Sequence, residues 1–258
     1  MVRRVALPAM FGMLIGLVGS AATEPIKLPG IKGADDRVLI RTTEYPWRAI
    51  GRVNKRIGGF CTGTVIGPAK VLTAAHCLWN KRTRGWLPAR SLHFVAGYQY
   101  GEYVTESKVQ SYQIAKQYRY HTHPTARQSA SDWAVLNLTT DVSTATGSIP
   151  LWYEGEASIR DTIDKRIPIL QAGYSQDKAH ILTVHDGCRF VGLQLERLAL
   201  HDCDAVKGDS GSPILTRGNG GYRLIAIHVA TLARPDGTRL GVAIPATTIR
   251  NGTDAGSD

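Results

Sequence analysis

Cysteine is scarce in this chain of 258 residues, at 4, and no two cysteines have the Cys-x-x-Cys spacing of a zinc site. Acids are in deficit. Lysine and arginine number 31 against 21 aspartates and glutamates, a formal charge of +10. Such a balance makes a polyanion partner the first idea to test. No phosphate-cradling glycine loop and no nucleic-acid motif accompanies that charge, so no nucleic-acid partner is expected. Beyond the first two dozen residues no apolar run is long enough to span a bilayer, and no stable membrane insertion is expected. Sustained helical periodicity, internal repeats and low-complexity tracts are also missing. What is present is enough apolar side chain for a core, 43% hydrophobic against 20% charged, which argues against a disordered chain.

The first residues read as a leader. Arg3 and Arg4 precede an apolar stretch from Val5 to Val18, followed by the small residues Gly19, Ser20, Ala21 and Ala22. A basic start, a short apolar run and a small-residue exit describe a signal peptide over residues 1–22, and hence a secreted or periplasmic protein. Residues 23–32, with Pro25, Pro29 and Gly30, read as a short pro-segment or linker. From Arg37 onward, short apolar runs alternate with turn residues, among them Val71–Ala75, Leu92–Ala96, Trp133–Leu138, Pro213–Leu215, Leu224–Ala230 and Leu240–Ile244. With 27 glycines and 12 prolines to make the turns, this is the pattern of an all-β sandwich or barrel. The Ser/Thr-rich stretch Asp141–Gly147 is the natural midpoint, giving halves of 33–145 and 146–258. Export favours bridging all four cysteines, which permit three pairings. If each half folds as a unit, Cys61–Cys77 with Cys188–Cys203 is the economical one.

Three local sequences carry chemistry. Val71-Leu-Thr-Ala-Ala-His-Cys77 is an apolar strand ending in small residues and His76; Ser131-Asp132 sits just before the run Trp133–Leu138; Lys207-Gly-Asp-Ser-Gly-Ser-Pro213 puts Ser210 in a glycine-rich turn. A serine hydroxyl is a poor nucleophile until a base takes its proton. Imidazole suits that role at neutral pH. A buried carboxylate fixes its tautomer and stabilises the imidazolium. His76, Asp132 and Ser210 fill these roles, and glycines let the amides of Gly208 and Ser210 face one developing oxyanion. Singly, each element is ordinary loop chemistry; together in one exported chain they point to acyl transfer.

The motifs Thr73-Ala-Ala-His-Cys77 and Gly208-Asp-Ser-Gly-Ser-Pro213 resemble the chymotrypsin- or trypsin-like serine protease superfamily. Asp35-Asp-Arg37, Thr42–Ile50 and Cys61-Thr-Gly-Thr-Val-Ile-Gly-Pro68 resemble its bacterial glutamyl endopeptidase branch. The similarity is patchwise from Asp35 to Ala246, dense at the motifs and thin in the loops. It implies two packed six-stranded antiparallel β-barrels with a short C-terminal segment, the triad in the cleft between them, and a Cys61–Cys77 bridge beside His76. It also implies a secreted, monomeric serine endopeptidase acting on protein or peptide substrates, with no metal or cofactor.

In that superfamily the substrate pocket is walled by residues before the nucleophile and by the strand after it, here Asp204, Ala205, Lys207 and His228. The pocket signals conflict. Asp204 occupies the position of the acid that reads lysine or arginine. His228 resembles the histidine that holds an acidic side chain, and Lys207 adds positive charge. Ala205 replaces the usual threonine of the glutamyl branch, and Val206 the usual cysteine of trypsin-like members. The expectation is a slight preference for cleavage after acidic over basic side chains. A cut near Gly30–Lys32 would activate a zymogen, with Asp209 pairing the new terminus. The rival reading is a catalytically silent relative that binds polyanions or cell surfaces. His121-Thr-His123 and His201-Asp-Cys-Asp204 read as surface loops and not as metal ligands.

Overall fold

Strands form here where β-branched and apolar residues fill both faces of a short run, and they end where glycine or proline turns the chain. The structure, a computed structural model, describes residues 28–152, 158–195, 197–218 and 220–254, the last four by backbone alone. The expected leader at 1–22 and residues 23–27 of the expected pro-segment lie outside the described residues.

The strands in chain order are β1 (Val38–Ile40), β2 (Ile50–Lys55), β3 (Phe60–Gly67), β4 (Lys70–Thr73), β5 (Trp79–Asn80), β6 (Gly85–Trp86), β7 (Leu92–Ala96) and β8 (Thr105–Ile114). They continue with β9 (Ala134–Leu138), β10 (Ile169–Gly173), β11 (Leu182–Cys188), β12 (Phe190–Gln194), β13 (Leu198–His201), β14 (Pro213–Gly218), β15 (Gly221–Ala233) and β16 (Arg239–Pro245). A helix at Ala246–Asp254 follows the last strand and packs back on β15 and β16. That helix is the short C-terminal segment of the expected architecture.

Six strands close the first barrel in the order β2-β3-β4-β9-β8-β7. Ile50, Val53, Val65, Leu72, Phe94 and Leu136 fill its interior without solvent exposure. Gly63 is dictated by that packing. A Cβ there would lie 2.7 Å from Val71 and 2.9 Å from Val53.

The second sheet runs β1-β11-β10-β14-β15-β16-β13-β12. It has eight strands and not six, and it recruits β1 from the segment the sequence reading gave to the first half. Val38–Ile40 pair with Leu182–Val184 of β11, so the first described strand lies on the second sheet and the chain then crosses to the first barrel. Ile169, Ile214 and Ala226 sit in its core.

The barrels meet at Thr62. Its N–H donates to Ser210 O at 3.0 Å, its hydroxyl donates to Gly208 O at 3.0 Å, and the same hydroxyl accepts from Tyr174 N at 2.9 Å. One residue of the first barrel is thus bonded, through backbone and side chain, to two residues of the turn that carries Ser210. Both expected disulfides are present, Cys61–Cys77 at this seam and Cys188–Cys203 beside β12 and β13.

Candidate active site

His76 owes its position to a change of residue size. The buried strand β4 runs into Ala74 and Ala75, and a single turn of 3-10 helix at Ala75–Leu78 then swings the imidazole into the cleft. Its side chain is 28% exposed, whereas that of Asp132 is 9% exposed. Asp132 closes a turn before β9, its own N–H donating to Ser129 O at 3.1 Å. One carboxylate oxygen accepts from the His76 backbone N–H at 2.8 Å; the other lies 2.7 Å from His76 Nδ1. An ionised carboxylate can only accept, so the ring proton resides on Nδ1 and Nε2 is the free base. Tyr118 packs on the same carboxylate. Burial, and then the charge of Asp132 and the hydrogen bond to it, push its phenol well above the ordinary value.

Ser210 is presented by a turn that admits only glycine at two points. Gly208 has φ +104°, and a Cβ there would lie 2.5 Å from Tyr174 O; Gly211 has φ +85°, with Thr62 O at 2.3 Å. Among the described residues neither the Gly208 nor the Ser210 amide has an acceptor. The Cys77 sulfur links the two barrels' contributions, 3.8 Å from His76 Nε2 and 3.9 Å from Ser210 O. No hydrogen bond joins the Ser210 hydroxyl to His76 among the described residues. Such bonds are often long in unliganded sites and tighten around substrate.

The structure separates the two acids near the serine. Asp209 is buried, with one oxygen accepting from Val206 N and from Ser175 Oγ, each at 2.8 Å. Burial, opposed by those two bonds, raises its pKa to about 6. Among the described residues, the segment ahead of β1 makes no hydrogen bond to Asp209. It lands on Asp204 instead, whose oxygens accept from Lys32 N at 2.7 Å and Asp36 N at 3.0 Å. Asp204 is 2% exposed, so this carboxylate is spent on the chain's own backbone. Burial alone would raise its pKa, but His185 and the two amides outweigh that and hold it below the usual value. Ala205 is buried and donates to Gly30 O at 3.2 Å, and Lys207 is exposed.

Two residues close to His228 were not assigned to the site by the sequence reading. His201 is no surface loop: it is fully buried on β13, with Nε2 3.0 Å from His228 Nδ1 on β15 and Nδ1 without a partner. A β-bulge between His228 and Ala230 locally re-aims β15 at this point. Lys32 is the second. Its ammonium donates to the carbonyls of Cys203 and Gly30. Burial lowers its pKa to about 8 against the raising pull of Asp204. Its charge is felt at both rings. Burial first, then Lys32, then His76 pull His228 down to about 3, and burial with His228 and Lys32 holds His201 well below its ordinary value. The apolar run Leu198-Ala-Leu200 leading into His201 could have marked it as buried; nothing in the sequence marked Lys32. His121 and His123 stay exposed, as expected of loop residues.

Comparisons with known proteins bear on the family and the fold. The trypsin family model matches residues 38–179. A glutamyl endopeptidase of Bacillus licheniformis is 44% identical over 62 residues, 24% of this chain and 19% of that protein's length. A venom serine protease of Polistes dominula is 26% identical over 206 residues, covering 69% of this chain and 68% of that one. A solved Glu endopeptidase in complex with MPD shares the fold with a TM-score of 0.70 at 21% identity, covering 87% of this chain and 98% of its own.

Proposed function

The chain belongs to the trypsin family, and from that premise we propose that it is an exported serine endopeptidase acting through His76, Asp132 and Ser210. The observation that carries the reading is the 2.7 Å contact between His76 Nδ1 and a buried Asp132, beside a serine turn whose amides have no protein acceptor. Ser210 Oγ attacks the scissile carbonyl as Nε2 of His76 takes its proton. The amides of Gly208 and Ser210 hold the oxyanion, each worth about 100–1,000-fold in rate. His76 then protonates the leaving amine, and water repeats the cycle on the acyl-enzyme. Two disulfides support an oxidising compartment.

The pocket favours an acidic side chain ahead of the scissile bond. Asp204, the acid that would have read a basic side chain, stays ionised but is occupied by the amides of Lys32 and Asp36 and by His185. Lys32, His201 and His228 surround the same region with one cation and two protonatable rings. A substrate carboxylate placed there gains a charge-assisted partner and raises the proton affinity of both rings. Against the silent-relative reading stand the retention of His76, Asp132 and Ser210 in the sequence and the 2.7 Å His76–Asp132 contact.

The test is active-site labelling. A serine-directed phosphonate should label the wild-type protein once per chain, and Ser210→Ala should lose both label and proteolysis with an unchanged circular dichroism spectrum. Undiminished proteolysis in that variant would refute the assignment.

A further inference from the structure

The reaction fixes which barrel each half of the substrate meets. The acyl half places its side chain in the pocket of the second barrel. The leaving amine takes its proton from His76, so the departing chain runs out over the first barrel. The element it meets there is the hairpin of β2 and β3, whose Phe60 would lie 3.0 Å from a Cβ at Gly208 and so borders the serine turn. Lys55, at the base of this hairpin, is half-buried, and burial followed by the charges of Lys207 and Lys81 lowers its pKa. Three lysines therefore flank the exit from the cleft.

Beyond Lys55 the surface opens into a groove of about 370 Å³ bordered by Lys55, Arg56, Arg90, His93, Glu106 and Lys108. Strand register builds it: Lys55 opposes Leu92, His93 opposes Lys108, and Arg56 N donates to Ser91 O at 2.8 Å. Its one carboxylate, Glu106, is taken by His93 at 2.9 Å. Among the described residues no acid pairs with Lys55, Arg56, Arg90 or Lys108. Cations of one sign gathered in a concave surface focus field toward an anion.

We propose that this groove is an exosite for acidic side chains of the substrate polypeptide several residues beyond the scissile bond. The site rests on the protease reading above but not on the chemistry of the specificity pocket. Its ligand is an extended peptide, because the groove is lined by Asn54, the strand partner of the Phe60 that borders the serine turn, and because a strand-built floor suits an extended backbone. The sequence's excess of positive charge thereby acquires a location and a use.

The experiment compares two peptides identical up to the second residue after the cleavage site and ending in three glutamates or three glutamines. The wild-type enzyme should cleave the glutamate peptide with a kcat/KM about tenfold higher, an advantage lost in half-molar salt. The double substitution Arg56→Glu with Arg90→Glu should abolish or reverse that preference. A short anilide, which carries nothing beyond the scissile bond, should be hydrolysed equally by wild type and variant. Anisotropy binding of both peptides to Ser210→Ala, with and without the double substitution, reads the site independently of turnover. Equal rates for the two peptides in wild type, or a preference that survives charge reversal, would overturn the exosite. Failure of wild type to hydrolyse the anilide would overturn the protease reading and the exosite with it.

Discussion

Lys32 and Asp204 exchange the roles their positions suggest. An acid six residues before the serine looks like a reader of basic side chains, yet it accepts two amides of the N-terminal segment. A lysine in what reads as a disposable pro-segment supplies the buried cation. If Lys32 helps bind an acidic side chain, Lys32→Met should reduce the kcat/KM ratio of glutamate over glutamine peptides by about tenfold, the scale of one charge-assisted contact. Lys32→Arg should retain more of it. Burial lowers the Lys32 pKa to about 8, so the ammonium is present below that pH and lost above it. The glutamate preference should therefore fall as pH rises through about 8 in wild type, and Lys32→Met should show no such fall. Kinetics across pH 6 to 10 on the paired peptides check both. At this scale the triad was legible in the sequence because each member sits in a contiguous motif. The pocket was not, because its cation comes from a segment more than 170 residues away in the chain.

The N-terminal segment is an element of the second barrel. It is bonded at Asp204, at Ala205 and through β1, and Arg37 ties it to Asp177 at 2.7 Å. Asp204→Ala would strand two amides that the carboxylate now satisfies. The expected cost is about 2–4 kcal/mol, read as a lower thermal midpoint and faster limited proteolysis within residues 30–37. An unchanged proteolysis pattern would show that the segment holds without the aspartate. Strands with continuous apolar runs, such as β4, β9 and β15, were visible in the sequence. The strand β8, Thr105–Ile114, was not, because Glu106, Lys108 and Gln110 line its solvent face and interrupt the run. β11 and β12 were hidden for a related reason. His185 and Asp186 interrupt the apolar run of β11, and Gly192 and Gln194 that of β12. The joining of β1 to the far sheet could not be read at all, since register between distant strands leaves no local mark.

Across the whole molecule, the division of labour follows the two barrels. In the proposed mechanism the first supplies base, orienting acid and a basic exit; the second supplies nucleophile, oxyanion amides and the pocket. Thr62 bonds the two barrels together, and the Cys61–Cys77 bridge fixes the His76 turn to β3 within the first. The all-β architecture and the cleft were legible from short strands and three motifs, whereas the unequal strand numbers and the direction of the pocket's charge required the assembled chain. One measurement tests the combined account most directly: the cleavage-site profile of the purified enzyme on a diverse peptide library. The account predicts cuts after glutamate and aspartate that vanish with Ser210→Ala. Cuts confined to lysine and arginine would contradict the pocket, and cuts that persist in Ser210→Ala would contradict the mechanism.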